Sequence, residues 1–249
     1  MIEVKDLFKS YAGQAVLKGL NLSVKEGETL VVLGRSGVGK SVLLKQIIAI
    51  EKPDSGSVSV AGRDLAKLLK PEILELLKQM GMLFQGGALF DSMNIYENVA
   101  FHLREHGFKG KPCCEDEIRR RVFDALSCVG LQGVEEKNPS ELSGGMRKRA
   151  ALARIIVYHP RILLYDEPTT GLDPITAMQI NELIVRVQKQ LQATSIVVTH
   201  DMASAMRVAD RLALHHDGAI KHIAAKEDFF AIEDPLLQDF LLHSAVKNN

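Results

Sequence analysis

Residues 29–41 read Thr-Leu-Val-Val-Leu-Gly-Arg-Ser-Gly-Val-Gly-Lys-Ser, an apolar run that leads directly into a glycine-rich turn. The run Thr29–Leu33 predicts a buried strand, and residues 41–50 predict a helix behind the turn. The turn matches G-x-x-x-x-G-K-[ST] between a strand and a helix, the context in which that pattern holds phosphate groups. Its glycines allow several backbone N–H groups to face one point, where the positive end of the helix also lies. We therefore predict a phosphate-binding loop made of Gly34, Arg35, Ser36, Gly37, Val38, Gly39, Lys40 and Ser41.

The last two residues of this loop carry side chains suited to a bound nucleotide. Lys40 is expected to reach the β- and γ-phosphates, and the Ser41 hydroxyl is expected to ligate Mg²⁺. The alternative is a connecting turn in which a lysine stands by chance. It is disfavoured because both the strand and the helix flank the loop as the pattern requires.

Polar residues follow two further predicted strands. Asp166 and Glu167 come directly after the apolar run at residues 162–165, and His200 comes directly after the run at residues 194–199. Ligands bind at the carboxyl ends of the strands in open α/β sheets, so these side chains are expected near the phosphate loop. Asp166 is predicted as a Mg²⁺ ligand, Glu167 as the group that polarises the attacking water, and His200 as a γ-phosphate contact. Without the loop, a solvated loop start and a structural histidine would be the better interpretations.

The remaining pattern predicts an α/β chain with a P-loop and two additions. Short strands at residues 2–4, 16–24 and 57–60 predict an antiparallel β subdomain. Residues 86–159 are interpreted as an inserted α-helical subdomain with helices at 95–105, 115–129 and 144–158. The whole chain, 1–249, is expected to be one domain, in which residues 1–85 and 160–249 form the α/β core.

Composition restricts the function. The 249 residues include 31 Lys+Arg and 31 Asp+Glu, and this zero net charge disfavours a protein that coats nucleic acid. The 3 cysteines give no disulfide framework and no metal-binding spacing. No apolar run approaches the roughly 18 residues of a membrane span, so we expect a soluble chain whose membrane role comes through a partner.

With these residues in place, the chain resembles the ATP-binding subunit of ABC transporters. Gln85 resembles the Q-loop glutamine, residues 142–146 (Leu-Ser-Gly-Gly-Met) the signature motif, and residues 162–167 the Walker B strand with its catalytic glutamate. Residues 171–173 resemble the D-loop, His200 the switch histidine, and Tyr11 the aromatic residue that stacks on adenine. The resemblance implies ATP hydrolysis with Mg²⁺, for which the catalytic residues are Glu167, His200 and Lys40. It also implies nucleotide contacts from Ser143, Gly144, Gly145 and Asp173, and metal contacts from Ser41, Gln85 and Asp166.

The resemblance further implies a head-to-tail pair of cassettes. Ser143 and Gly145 of one chain would cap the γ-phosphate held by the other chain's phosphate loop, where a helix N-terminus favours an anion. Met146 departs from the usual glutamine of the signature, and activity is expected to survive that change. A second copy of this chain is therefore an expected partner.

A finer resemblance points to the MCE-associated, Mla-type ATPases of phospholipid transport. It is carried by residues 83–101, 103–106, 143–149 and 173–176. It implies an integral membrane permease linked to an MCE protein, a place on the cytoplasmic face of the inner membrane, and a small STAS-domain protein as a further candidate partner. Apolar residues after Gln85 are candidates for the permease contact, although packing within the chain is the alternative for each: Ala88, Leu89, Phe90 and Met93. A predicted tail helix from Asp234 is expected to pack on its own domain.

Other functions remain open at this point. The chain could power an importer or exporter for another substrate such as an amino acid, or a mechanical complex of the cell-division type. A nucleic-acid-directed ABC protein is disfavoured by the neutral charge. A cassette that binds ATP only as a switch is disfavoured by the presence of Lys40, Asp166, Glu167 and His200.

Overall fold

The computed structural model describes residues 1–246, with side chains through Leu242. The strands are β1 (Ile2–Tyr11), β2 (Gln14–Val24), β3 (Thr29–Leu33), β4 (Ser55–Val60), β5 (Arg63–Asp64), β6 (Met80–Leu83), β7 (Ile162–Asp166), β8 (Thr194–Thr199), β9 (Arg211–His216) and β10 (Ala219–Ala225). The helices are α1 (Lys40–Ile47), α2 (Lys70–Leu77), α3 (Ile95–His106), α4 (Glu115–Cys128), α5 (Gly144–Ile156), α6 (Pro174–Leu191), α7 (Met202–Val208), α8 (Lys226–Phe229) and α9 (Pro235–Val246).

A six-stranded sheet in the order β10-β9-β3-β8-β7-β6 positions the predicted site. All neighbouring pairs are parallel except β9 and β10. The register sets Leu33 beside Thr199, and Asp166 beside Val198. The phosphate loop, the residues after β7 and the residue after β8 therefore leave the sheet at one edge.

A separate four-stranded antiparallel sheet has the order β2-β1-β4-β5. It contains each of the three segments that the sequence predicts as antiparallel strands. The sheet rests on α1 and one face of the large sheet through a shared apolar cluster that includes Val4, Leu17, Leu43 and Val58. This packing holds α1 in place and so positions the phosphate loop, because α1 begins where the loop ends.

The opposite face of the large sheet carries the other helices. Alternate residues of the central strands, such as Val31, Leu163 and Val197, point to this face and share one core with α3, α4, α5 and α6. Between residues 86 and 159 the regular elements are α3, α4, α5 and one short 3₁₀ turn, with a single isolated bridge between Phe108 and Lys111. This agrees with the predicted helical composition of the segment, while its division from the core as a subdomain stays a prediction.

The sequence pattern missed some elements and misplaced some ends. β6, β9 and β10 were not expected, because β6 is only a short run and β9 ends in two histidines. α1 ends at Ile47 rather than near Ile50, since Ala49 takes a left-handed φ of 53°. No helix within residues 1–246 has the length and apolarity needed to cross a membrane.

Candidate active site

Lys40 lies at the first position of α1 and is enclosed by the loop that precedes it. Its ammonium donates to the carbonyl oxygens of Gly34 at 2.7 Å and Arg35 at 3.0 Å. It also forms an ion pair with Glu167, with 3.2 Å between Nζ and Oε1. Only 5% of the residue is exposed, so these three partners take the place of water around the ammonium.

The loop conformation depends on Gly39, which caps α1. Gly39 has a φ of 105°, a value that side chains disfavour. A Cβ atom there would also lie 2.8 Å from a methyl group of Val16 in β2. The antiparallel sheet therefore approaches the loop closely, and only glycine fits between them.

Ser41 and Asp166 meet across the sheet edge. The Ser41 hydroxyl donates to the Asp166 carboxylate at 2.8 Å, and Asp166 is 8% exposed. Burial raises the pKa of Asp166, and the neighbouring Glu167 raises it further, while the Ser41 hydrogen bond and the Lys40 and Lys148 charges oppose the rise. A hydroxyl beside a carboxylate is a donor set that fits Mg²⁺. Within residues 1–246 no three His, Cys, Asp or Glu side chains gather as a metal site.

Glu167 is held by four side chains. Besides Lys40, its Oε2 lies 2.9 Å from Nδ1 of His200 and accepts hydrogen bonds from the hydroxyls of Thr170 at 3.2 Å and Thr199 at 3.3 Å. Its backbone is left-handed, with a φ of 47°, and its N–H donates to Val198 at 2.9 Å. A non-glycine residue in that conformation is strained, and such strain concentrates at functional sites. The carboxylate is therefore fixed in direction and 8% exposed.

Two other predicted nucleotide contacts lie on the rim of this site. The Gln85 side chain is exposed, while its carbonyl oxygen accepts a hydrogen bond from the ammonium of Lys148 in α5. Tyr11 ends β1 with 39% of the residue exposed, and its hydroxyl donates to the carboxylate of Glu51. Burial and that hydrogen bond raise the pKa of Tyr11 to about 12, so the phenol stays neutral.

The signature residues and Asp173 form a separate group at two helix N-termini. Ser143 caps α5, and its hydroxyl accepts from the Met146 N–H at 3.3 Å. Asp173 caps α6 and accepts from the Thr176 N–H at 3.0 Å. A Cβ atom on Gly145 would lie 2.5 Å from the Thr176 methyl group, so the two helix starts are in close contact. The start of α5, capped by a neutral hydroxyl, suits an anion, whereas the start of α6 is already occupied by the Asp173 carboxylate.

Sequence reasoning missed Thr199, Thr170 and Lys148. The two threonines could have been predicted from their positions, since Thr199 ends β8 and Thr170 lies in the turn after Glu167. No sequence signal marks Lys148, because it stands between two arginines and yet is 7% exposed. Burial lowers its pKa, opposed by the negative charges of Asp166 and Glu167.

Comparison with known proteins identifies the family. The family model described as ABC transporter matches residues 17–170. The chain belongs to the ABC transporter family. The "Probable ribonucleotide transport ATP-binding protein mkl" of Mycobacterium leprae is 42% identical over 96% of this chain and 68% of its own length. The chain spans 66% of the Mycobacterium tuberculosis protein of the same name.

Two further similarities extend over nearly all of both proteins. The "Intermembrane phospholipid transport system ATP-binding protein MlaF" of Haemophilus influenzae is 40% identical over 97% of this chain and 90% of its own length. A dimeric, post-hydrolysis structure of the ATP-binding cassette MJ0796 with ADP and Pi superimposes with a TM-score of 0.83 at 31% identity, covering 91% of this chain and 99% of that one. These findings confirm the predicted fold class and the resemblance to ABC ATP-binding subunits.

The chain is therefore an ABC ATPase. It uses ATP and Mg²⁺, as members of this family do, and the similar MJ0796 cassette is dimeric. ATP, Mg²⁺ and the ATPase activity were all predicted from the sequence.

Proposed function

We propose that this ATPase powers the movement of phospholipid, or another hydrophobic molecule, between membranes through an MCE-type system. The observation that carries the proposal is the similarity to the phospholipid-transport protein MlaF across 97% of this chain and 90% of that protein. The similarity to mkl, whose name gives ribonucleotide transport, supports a second candidate, transport of a polar solute. The two candidates differ in the permease and the substrate, and the chemistry of this chain is the same in both.

In the proposed chemistry, Lys40 exchanges partners when ATP arrives. In the structure, its ammonium pairs with Glu167 at 3.2 Å. When ATP is bound, the ammonium would pair with the β- and γ-phosphates instead. That exchange releases Oε1 of Glu167 toward the γ-phosphate side of the site. Ser41, Asp166 and Gln85 would hold Mg²⁺, which neutralises phosphate charge when bound.

Glu167 is the proposed general base. His200, Thr199 and Thr170 hold its Oε2, so Oε1 is the oxygen available to accept a hydrogen bond from water. A carboxylate fixed in this way orients a water molecule with little loss of entropy. His200 lies beside the same oxygen and is the proposed γ-phosphate contact.

The remaining predicted residues are assigned to the nucleotide's periphery. Tyr11 would stack on adenine with its exposed ring, and the backbone N–H groups of the phosphate loop would hold the phosphates. Ser143, Gly144, Gly145 and Asp173 would face the nucleotide of the second chain, since they form their own group at two helix starts.

The proposed setting is the cytoplasmic face of the inner membrane, reached through an MCE-linked permease. A small STAS-domain protein is a further proposed partner, and nucleic acid is not. Phe90 and its neighbours are the proposed permease contact. Phe90 packs edge-on against Phe101 with 4.9 Å between ring centres, so part of its surface serves the chain's own packing.

Purification from membranes in mild detergent tests the substrate and the partners. The tagged chain is isolated with its bound proteins and lipids, and both are identified by mass spectrometry. The proposal predicts an integral membrane permease, an MCE-domain protein and enriched phospholipid. A permease with a soluble solute-binding protein and no lipid enrichment would favour the polar-solute candidate.

Substitution of Glu167 tests the chemistry separately. We expect Glu167→Gln to retain ATP binding and to lose nearly all turnover, because an amide is no base. The matched control is Glu182→Gln, an exposed glutamate on α6 whose partner is Arg207. Near-normal turnover in Glu167→Gln would remove Glu167 from the role of general base.

A further inference from the structure

Lys148 is a buried cation on the helix that carries the signature motif. It is the only charged residue among the buried positions of α5, and 7% of it is exposed. A buried ammonium is costly unless acceptors and negative charge compensate it. The partners of the Lys148 ammonium therefore decide whether its burial is stable.

The acceptor of Lys148 is the carbonyl oxygen of Gln85, the second residue after β6 at the edge of the site. The turn that contains Gln85 is closed by a 2.8 Å hydrogen bond from Gly87 N–H to the Phe84 carbonyl. A Cβ atom on Gly87 would lie 3.5 Å from the Ala151 side chain of α5, so the turn rests on this helix. Lys148 thus fixes the peptide of Gln85 to α5.

A second cation on α5 reinforces the same segment. The Arg154 guanidinium donates to the Ala88 carbonyl oxygen and lies 4.1 Å from the centre of the Phe90 ring. Lys148 and Arg154 hold the chain after β6 at two carbonyl groups, those of Gln85 and Ala88. The segment after β6 is therefore attached to α5.

Negative charge also favours the protonated form of Lys148. The carboxylates of Asp166, which ends β7, and Glu167, which follows it, are the charges that favour its protonated form. Lys148 therefore contacts the Gln85 peptide, and its charge is favoured by Asp166 and Glu167. Its own helix begins at Ser143, the first residue of the group assigned to the second chain's nucleotide.

We propose that Lys148 is a positioning residue that joins each chain's own nucleotide site to the signature motif it offers its partner. Its ammonium holds the Gln85 peptide on α5, and α5 carries any shift of that peptide to Ser143 and Gly145. The inference rests on the nucleotide roles proposed above for Gln85 and the signature residues. It adds Lys148, to which the proposed function assigns no part.

Three variants of the full-length chain test this role. Lys148→Arg keeps the positive charge and a donor, Lys148→Met keeps the apolar stem alone, and Arg147→Met is the matched control at the adjacent exposed position. Turnover, the ATP concentration at half-maximal rate, the Hill coefficient for ATP and the thermal midpoint are measured for each. ATP binding is measured separately by equilibrium titration.

We expect Lys148→Met to bind ATP within about threefold of the unmodified chain and to lose about tenfold or more in kcat, with a reduced Hill coefficient. Lys148→Arg should recover most of kcat, and Arg147→Met should leave every value unchanged. Unchanged kcat and Hill coefficient in Lys148→Met would overturn the proposal. A fall in thermal midpoint and ATP binding that Lys148→Arg shares would also overturn it, because packing alone would explain it. An unmodified chain without ATPase activity would instead contradict the proposed function.

Discussion

The contact between the signature motif and the start of α6 gives a prediction with a calculable size. A methyl group added at Gly145 would lie 2.5 Å from the Thr176 methyl carbon, whereas carbon atoms in ordinary contact lie about 3.5–4.0 Å apart. Thr176 is β-branched and in a helix, so it has few rotamers by which to withdraw. Overpacking of this kind costs about 1–3 kcal/mol. Alanine also favours the helix by about 1 kcal/mol over glycine, so the single substitution understates the clash.

A double-mutant cycle isolates the clash from helix propensity. Thr176→Ser removes the methyl carbon, after which the nearest Thr176 atoms to the new Cβ, at 3.8 and 4.0 Å, are in ordinary contact. We predict that Gly145→Ala and Thr176→Ser have a favourable coupling energy of about 1–3 kcal/mol. The assay is urea unfolding of the four proteins followed by circular dichroism. Additive effects, with coupling below about 0.5 kcal/mol, would refute the close approach of the two helices.

Three further predictions concern the phosphate site, the permease contact and the response to acid. Lys40→Ala should weaken ATP binding about tenfold or more in calorimetric titration, because a buried cation at the phosphates is lost; equal affinity would contradict the placement of Lys40. Phe90→Asp should abolish coupling of ATPase activity to the permease and preserve nucleotide affinity; an unfolded product would show that Phe90 serves packing alone. Burial, with the Lys40 charge, lowers the pKa of His215 from 6.5 to about 4, so the unfolded chain binds more protons than the folded chain between these values. The free energy of unfolding should therefore fall as pH drops from about 6.5 to about 4, and less so in His215→Leu; equal pH dependence would contradict this assignment.

The edge that carries the candidate site was predictable because parallel strands place their carboxyl ends together. Once residues 29–33, 162–165 and 194–199 are recognised as buried strands, Lys40, Asp166 and His200 must leave the sheet at the same edge. The structure brings them there, with Glu167 in contact with both Lys40 and His200. The short apolar runs in the sequence were sufficient to predict that these residues lie together.

The parts that sequence reasoning missed depend on contacts between distant segments. Lys148 stands in the run Arg147-Lys148-Arg149, which is typical of a solvated helix face, and its burial follows only from the packing of α5 on the turn after β6. β9 was missed because it ends in histidine, yet His215 is 1% exposed next to the phosphate loop. A polar residue in a buried strand contradicts the simple apolar pattern on which strand prediction relies.

The mass of Glu167→Gln in the presence of ATP and Mg²⁺ tests the central claim most directly. The claim is that ATP binding joins two chains in a head-to-tail dimer, and that ATP hydrolysis, with Glu167 as the general base, separates them. Light scattering should therefore give twice the 27.5 kDa of one chain for this variant with MgATP, and one chain's mass with MgADP. A variant that binds ATP by titration and yet keeps the mass of a single chain would contradict the account.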